Sequence, residues 1–177
     1  ITLGNITATF NNAVTISGLK DTTTYDWKTA IAYKATGVIL ASGATKQFST
    51  IPYVPGQLKV PSAYSTIQAG LNAARTSDTV LVAAGTYKEN IFWPETNGIK
   101  LISAGDSSNT VIDGGGISSV IYINPQTATI DTTTLIKGFK IINGNNVKLG
   151  GGIYCKNAGI IIDKTVIADN KVVGSGD

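Results

Sequence analysis

The residues that could do acid–base chemistry in this chain are carboxylates that stand singly in predicted turns. The sequence has no histidine, and Arg75 is its one arginine. The acidic residues of its β-rich segment from Ile99 to Asn170 are Asp106, Asp113, Asp131, Asp163 and Asp169. General acid–base catalysis needs groups that act together at one bond, and these aspartates have no acidic neighbour in the sequence. We therefore assign no catalytic and no cofactor-binding residue.

Asp113 is the aspartate that most resembles a functional residue, because three glycines follow it. Glycine accepts positive φ, and an aspartate side chain bonds readily to backbone N–H groups two residues ahead. This combination is typical of a tight corner at the end of a strand. We interpret Asp113 as a turn former rather than as a catalytic acid.

Our first interpretation is that the protein binds no cofactor. A calcium ion is the alternative. Side-chain oxygens could come from Asp163, Asp169 and Asn170, or from Asn143, Asn145 and Asn146. Calcium prefers such oxygen ligands, but Asn and Asp at corners more often bond to the backbone of their own turn. We therefore assign no metal-binding residue.

Three aromatic side chains are candidates for contact with a sugar. In Ile121-Tyr122-Ile123 and Ile153-Tyr154-Cys155 the flanking residues are apolar, so strand alternation places both tyrosines on the outer face of a sheet. We expect the two rings to stack, either to hold a sugar ring or to stabilise the sheet. Trp93 is the third candidate glycan contact.

Composition indicates an all-β protein. The chain has 177 residues, of which 42% are hydrophobic and 14% are charged, with 20 glycines and a net charge of +3. The lysines are scattered, so no basic patch predicts binding to nucleic acid. No apolar run has the roughly 18 to 20 residues of a membrane span, and we expect no membrane insertion in this segment. The class that fits is a secreted or cell-surface protein.

Short Ile- and Val-rich segments recur between Gly, Asn and Asp turns from Ile99 to Asn170. Three segments recur in the same order further along the chain. The first set is Ile121-Tyr122-Ile123, Leu135-Ile136 and Lys140 to Asn143, and the second set is Ile153 to Cys155, Ile161-Ile162 and Val166 to Asp169. This repetition predicts stacked coils of a parallel β-solenoid. The predicted common core contains Ile121, Ile123, Ile141, Ile153, Cys155 and Ile167, with Cys155 as a small buried hydrophobe rather than a reactive thiol.

A short amphipathic helix precedes the repeats. Ile67, Leu71 and Ala74 are spaced as one apolar stripe, and Ser65 is the predicted N-cap. We expect this helix to cover the first coil, since an open solenoid end exposes core and strand edges.

The first 50 residues contain a different pattern. Strand-like alternation occurs in 7–10, in 13–16 and most clearly in Tyr25 to Tyr33, and the closing strand is expected at 46–50. The segment SGLKDTTTYDW, from Ser17 to Trp27, resembles the corner of fibronectin type III domains, an Ig-like β-sandwich. The resemblance implies that Leu19 packs under a turn, that the Tyr25 hydroxyl bonds to the corner backbone, and that Trp27 fills the core between the sheets.

The module is shorter than a complete sandwich, which has about 90 to 100 residues. Residues 1–51 are therefore interpreted as a partial fibronectin type III-like sandwich, and 52–58 as a linker. Either the chain is a fragment of a longer protein, or a partner supplies the missing strands by strand addition.

Residues 59–177 carry a second resemblance. The segments YSTIQAGLNAA, SDTVLVAAGTYKENI, NTVIDGGG, GFKIING and GGGIYC are similar to right-handed parallel β-helix proteins of the pectin-lyase-like superfamily. In that superfamily, polygalacturonases use several aspartates with a nearby histidine, and pectate lyases combine calcium with an Arg or Lys base. This chain lacks the histidine and the paired carboxylates. The β-helix is expected to be incomplete at its C-terminal end.

The sequence therefore predicts a partial fibronectin type III-like sandwich followed by a capped β-helix. The function we expect is that of a noncatalytic extracellular or cell-surface structural or adhesion protein, which could assemble into filaments through open strand edges. The alternative is a carbohydrate-binding part of a larger polysaccharide lyase or glycoside hydrolase. The expected partners are a polysaccharide or neighbouring protein subunits.

Overall fold

The computed structural model describes residues 19–20, 22–27, 30–32, 39–146 and 150–173. Their regular secondary structure is mostly β-strand with one short helix, which confirms the all-β class. Two compact units are present, Ile1–Val54 and Pro55–Asp177, and the division falls inside the predicted linker 52–58. The predicted strands at 7–10 and 13–16 lie outside the described residues.

The first unit contains two antiparallel strand pairs. Strand β1 (Thr24–Trp27) pairs with β4 (Lys46–Ser49), and β2 (Ala30–Ala32) pairs with β3 (Ile39–Ser42). The predicted closing strand is therefore present. The expected strand from Tyr25 to Tyr33 is described in two parts, which pair with different strands, and residues 28, 29 and 33 lie outside the described residues.

The corner of the first unit is closed by hydrogen bonds. The Tyr25 hydroxyl accepts a hydrogen bond from the backbone N–H of Lys20 at 2.7 Å, as the resemblance implied. The Thr50 hydroxyl donates to the Lys20 carbonyl at 2.6 Å. The Tyr25 ring also stacks on Phe48 with centroids 5.6 Å apart. Leu19 is half-buried, and the side-chain position of Trp27 lies outside what the structure describes.

The second unit contains three parallel sheets. The long sheet consists of β5 (Gln57–Val60), β6 (Thr79–Val82), β9 (Lys100–Ser103), β12 (Leu135–Lys137) and β16 (Ile161–Asp163). The second sheet consists of β7 (Gly85–Lys88), β10 (Thr110–Asp113), β13 (Lys140–Ile142) and β17 (Val166–Ile167). The third sheet consists of β8 (Ile91–Phe92), β11 (Ile121–Ile123) and β15 (Ile153–Cys155). A separate parallel pair joins β14 (Asn145–Asn146) to β18 (Lys171–Val172). Gln57 and Leu58, which the sequence assigned to the linker, are part of the long sheet.

The chain passes through the three sheets repeatedly in the same order. It runs from β6 to β7 to β8, and then from β9 to β10 to β11, so each passage adds one strand to each sheet. Ile121 pairs with Ile153, Leu135 with Ile161, and Ile141 with Ile167. The predicted repeat therefore has the register that the sequence indicated. Parallel sheets connected in this way are compatible with a β-helix.

The core is built from side chains that stack in register on neighbouring strands. In the long sheet Val80, Leu101 and Ile136 are adjacent and fully buried. Ile121, Ile123 and Ile141 are also fully buried, as predicted, while Tyr122 between them points outward and is half-exposed. Strand alternation thus separates core from surface residue by residue.

The predicted burial is wrong for three residues. Ile153 is only half-buried, Ile167 is 47% exposed, and Cys155 is an exposed free thiol. Their strands, β15 and β17, pair on one side only within the described residues. An inward side chain needs a neighbouring strand on both sides to be fully covered, and this condition is not met here.

Helix α1 (Ile67–Ala73) packs against β5, β6 and β8 and covers this end of the unit. Ile67, Leu71 and Ala74 are buried, as the predicted stripe requires. The predicted N-cap Ser65 is wrong by one residue, because the Thr66 hydroxyl accepts the hydrogen bond from the Ala69 N–H at 3.0 Å.

Glu89 provides a second N-terminal cap for α1 from a distant part of the chain. Its two carboxylate oxygens accept from the N–H groups of Ile67 at 2.9 Å and Gln68 at 3.0 Å. These N–H groups have no partner inside the helix, and a negative charge is favourable at this end. The carboxylate therefore attaches the helix to the turn that follows β7.

Ile136 and Ile162 are paired in register on neighbouring strands but differ in burial, so substituting each one measures how much burial contributes to the free energy of unfolding. Ile136 is fully buried, and Ile162 on the adjacent strand is 43% exposed. We expect Ile136→Ala to lower the free energy of unfolding by about 2 to 5 kcal/mol, which is typical of a large-to-small change in a core. Ile162→Ala is the matched control and should cost clearly less, because its side chain is incompletely removed from water. Equilibrium unfolding in urea measures both, and equal losses would contradict the burial described here.

Candidate functional site

An aromatic row, formed by Phe92, Tyr122 and Tyr154, follows the outer face of the third sheet. The three residues are in register on neighbouring strands. The rings of Tyr122 and Tyr154 are stacked, with centroids 4.9 Å apart and planes at 10°. The Phe92 ring lies 5.8 Å from Tyr122 and is tilted by 52°. The predicted stacking of the two tyrosines is therefore confirmed.

Trp93 is not part of this outer surface. It is only 8% exposed and belongs to the core, whereas the preceding Phe92 is 61% exposed. Burial of this degree argues against a glycan contact at Trp93, and Phe92 was missed as an outward aromatic residue. The signal was present in the sequence, because Ile91-Phe92-Trp93 repeats the inward, outward, inward order of Ile121-Tyr122-Ile123.

The geometry of the aromatic row restricts its use as a sugar platform. A sugar ring packs on the face of an aromatic ring, but Tyr122 has Tyr154 stacked on one face and Phe92 near the other. The Tyr122 hydroxyl also accepts a hydrogen bond from the side-chain amide of Asn124 at 3.2 Å. These contacts favour the interpretation that the row stabilises the sheet.

A concave surface of this unit lies where the chain turns out of the second sheet. We name it the corner cleft and define it by the side chains of Lys88, Asp113, Asn143, Asn145, Asp169 and Lys171. Its volume is about 390 Å³, with backbone of Gly115, Gly116 and Gly144 in the wall. Four passes of the chain contribute to the cleft, because the turns after β7, β10, β13 and β17 stack as their strands do.

Asp113 is held firmly inside the cleft. Its Oδ1 accepts from the N–H of Gly115 at 2.9 Å and from the side-chain amide of Asn143 at 3.0 Å. The Gly115 N–H and then the Asn143 amide lower the pKa of Asp113, and the charge of Lys88 lowers it further. The predicted turn contact is therefore present, and Asp113 is a carboxylate at neutral pH.

The next two passes place Asn143 and Asp169 at the same corner with similar backbone geometry. Asn143 has φ of 55° and Asp169 has φ of 56°, and the Asn143 N–H donates to the Asp169 carbonyl at 3.2 Å. Asn and Asp adopt this left-handed conformation more readily than other residues with a side chain. The left-handed conformation of the turn therefore accounts for Asn and Asp at these two positions. Both residues also line the cleft.

The remaining aspartates are also engaged in local structure. Asp106 accepts from the N–H of Ser108 at 2.8 Å, and Asp131 accepts from the N–H of Thr133 at 2.9 Å. Asp163 forms an ion pair with Lys137 at 2.9 Å. The pKa of each of these three carboxyls is lowered, mainly by the Ser108 side chain, the Thr133 side chain and Lys137 respectively.

Of the residues considered for calcium, Asp163 and Asp169 are not brought together, whereas Asn143 and Asn145 both line the corner cleft. Asp163 ends a strand of the long sheet, whereas Asp169 lies in the corner cleft after β17. Asn170 uses its oxygen on the Gly144 N–H and its amide on the Ile141 and Ala168 carbonyls. Among the described residues, no group of three or more His, Cys, Asp or Glu side chains could hold a metal ion.

Comparisons with known proteins identify no relative of this chain. No family model matches the chain, and no curated protein and no solved structure matches it. Within the ranges that the structure describes, no helix is long and apolar enough to cross a membrane.

Glu95 is the carboxylate with the most hydrogen bonds among those described, and sequence reasoning missed it. Its oxygens accept from the N–H groups of Gln126 at 2.7 Å, Thr127 at 3.1 Å and Ala128 at 2.8 Å. The Ala128 bond and then those of Gln126 and Thr127 lower the pKa of Glu95 to about 2. The carboxylate therefore fixes the loop that follows β11.

This contact predicts a specific dependence of stability on pH. Because the folded-state pKa of about 2 lies below the usual 4.5, the stabilisation is complete above pH 4.5 and is lost as pH falls towards 2. We expect Glu95→Gln to be less stable than the wild type at pH 7, with a difference that shrinks as pH decreases through this range.

Urea unfolding of the two proteins at several pH values measures this difference. Asp106→Asn is a comparison for a turn-forming carboxylate elsewhere, and it should show the same direction of pH dependence because the pKa of Asp106 is also lowered. A difference between wild type and Glu95→Gln that grows on acidification would contradict the assignment.

Proposed function

We propose that the chain is a noncatalytic extracellular or cell-surface structural protein, in which a partial fibronectin type III-like module precedes a right-handed parallel β-helix of the pectin-lyase-like type. The β-helix is supported by the three parallel sheets and the fixed order in which the chain enters them. The Tyr25 to Lys20 hydrogen bond supports the fibronectin-like corner. A stacked core and in-register turns would give a stiff scaffold suited to adhesion or envelope building.

The noncatalytic proposal rests mainly on one observation, namely that the carboxylates form hydrogen bonds or ion pairs that stabilise turns and strands. A general acid that protonates a leaving group at neutral pH needs a raised pKa. Asp106, Asp113, Asp131, Asp163 and Glu95 all have lowered pKa values, because they accept hydrogen bonds or pair with lysine. Arg75, the one arginine, lies just after helix α1 rather than in the corner cleft.

The activity test uses purified protein and pectate. We expect no increase in reducing ends and none in unsaturated ends, with or without added calcium. Asp113→Asn is the matched variant, because it changes the cleft carboxylate and keeps its size. Release of either product by the wild type, lost in Asp113→Asn, would overturn the noncatalytic proposal.

Self-assembly into filaments is the most specific form of the structural proposal. Strands β15, β16 and β17 each have one unpaired edge within the described residues, and Ile162 and Ile167 are 43% and 47% exposed there. At the other end, helix α1 already covers the sheet. Growth into a filament therefore requires that β15 to β17 of one copy pair with β5, β7 and β8 of the next, which is possible only if helix α1 moves away from β5 and β8.

Light scattering over a range of protein concentrations tests this assembly. We expect regular polymers whose mass rises with concentration, because each added copy would cover exposed apolar side chains. Ile167→Lys, which places a charge in that contact, should reduce the polymer mass. A protein that stays monomeric at all concentrations would contradict the filament proposal.

Carbohydrate binding is the second candidate function, as part of a larger polysaccharide-active protein. The observation that favours it is the corner cleft, in which carboxylate, amide and ammonium groups converge on one concave surface. Polar groups that converge on one concave surface can orient a ligand through several hydrogen bonds.

A further inference from the structure

We propose that the corner cleft binds an uncharged saccharide through adjacent hydroxyl groups and discriminates against polyuronates. This inference rests on the second proposed function, carbohydrate binding, and adds the class of sugar and the residues that select it. The selecting residues are Lys88, Asp113, Asp169 and Lys171.

The first step concerns the arrangement of donors and acceptors. Lys88 and Asp113 are directly paired in register on neighbouring strands and both line the cleft, so an ammonium donor and a carboxylate acceptor belong to the same surface. Both side-chain hydrogen bonds that the structure describes for Asp113 end on Oδ1, which leaves Oδ2 to accept from a ligand. Two adjacent hydroxyl groups match this pair, because one can donate to Asp113 while the next accepts from Lys88.

The second step concerns charge. The cleft is lined by two lysines and two aspartates, so its charged side chains sum to zero. A polyuronate carboxylate that contacts Lys88 or Lys171 would also lie close to Asp113 or Asp169, whose repulsion offsets the attraction of the lysines. The hydrogen bonds from Gly115 and Asn143 keep the pKa of Asp113 low, so this repulsion is not relieved by protonation near neutral pH.

The third step concerns rigidity. Asn143 holds Asp113 through its amide, and the Asn145 amide donates to the Gly116 carbonyl at 3.3 Å. The backbone beneath is fixed by the bond from the Gly144 N–H to the Asn170 side chain at 2.7 Å. Groups that are held before a ligand arrives lose little conformational freedom on binding, which favours selectivity in a shallow site.

The test titrates the full chain with two kinds of oligosaccharide, using calorimetry or NMR. The probes are uncharged manno-, xylo- and cello-oligosaccharides on one side and oligogalacturonate on the other. We expect at least one uncharged series to bind, and oligogalacturonate to bind at least about tenfold more weakly at low salt. Asp113→Ala should weaken binding of the uncharged sugar by about tenfold or more, because it removes a hydrogen bond to a charged group.

Two variants make the result specific. Asp106→Ala removes a turn-forming aspartate outside the cleft and should leave sugar binding unchanged. The double variant Asp113→Asn with Asp169→Asn changes the charge of the cleft from zero to +2 and should improve oligogalacturonate binding. Circular dichroism and the melting temperature check that each variant is folded.

The outcomes separate the two levels of the proposal. Binding of oligogalacturonate to the wild type that is tighter than, equal to or less than tenfold weaker than that of the best uncharged series would overturn the inference and leave carbohydrate binding intact. Binding of an uncharged sugar that Asp113→Ala does not weaken would also overturn the inference. A failure of both kinds of sugar to bind would overturn carbohydrate binding itself, and the inference with it.

Discussion

The parallel register between successive passes of the chain is the constraint on which the rest of the second unit depends. A shift of one residue would move every inward side chain of a strand to the outer face. With the observed register, Leu101 lies between Val80 and Ile136, and Tyr122 lies between Phe92 and Tyr154. The same pairing stacks the turns after each strand. The buried core, the aromatic row and the corner cleft are therefore three consequences of one arrangement.

The corners limit how closely the passes can approach each other. A Cβ atom on Gly144 would overlap the carbonyl oxygen of Gly151, and one on Gly152 would come within 2.7 Å of the Ile167 side chain. Small residues at these corners let the passes meet closely. The bonds of the Asn170 amide to the Ile141 and Ala168 carbonyls pair polar backbone groups that close packing removes from water. Packing of the corners and hydrogen bonding of their backbone thus require the same Gly and Asn residues.

The features that the sequence predicts well are those that repeat. Alternation and the repeated segments indicated the parallel order, the register of Ile121 with Ile153 and the outward tyrosines. The predictions that were wrong or missing concern interactions that do not recur from one repeat to the next. The carboxylate of Glu95 binds N–H groups some 31 to 33 residues ahead, and no local pattern marks such a pair. The exposure of Cys155 depends on the neighbouring strands of its sheet, although its own position in the repeat indicates burial.

The corner cleft could be predicted only in part for a related physical reason. Asp113, Asn143 and Asp169 were each assigned to turn formation from local sequence, and their backbone geometry and hydrogen bonds agree with that. When those turns stack, side chains that each stabilise one turn become neighbours and together form the surface of the cleft. A carboxylate held in this way stays charged and fixed, so it suits recognition of hydroxyl groups better than transfer of a proton. The interactions that stabilise the corners therefore also determine which kind of ligand the cleft can select.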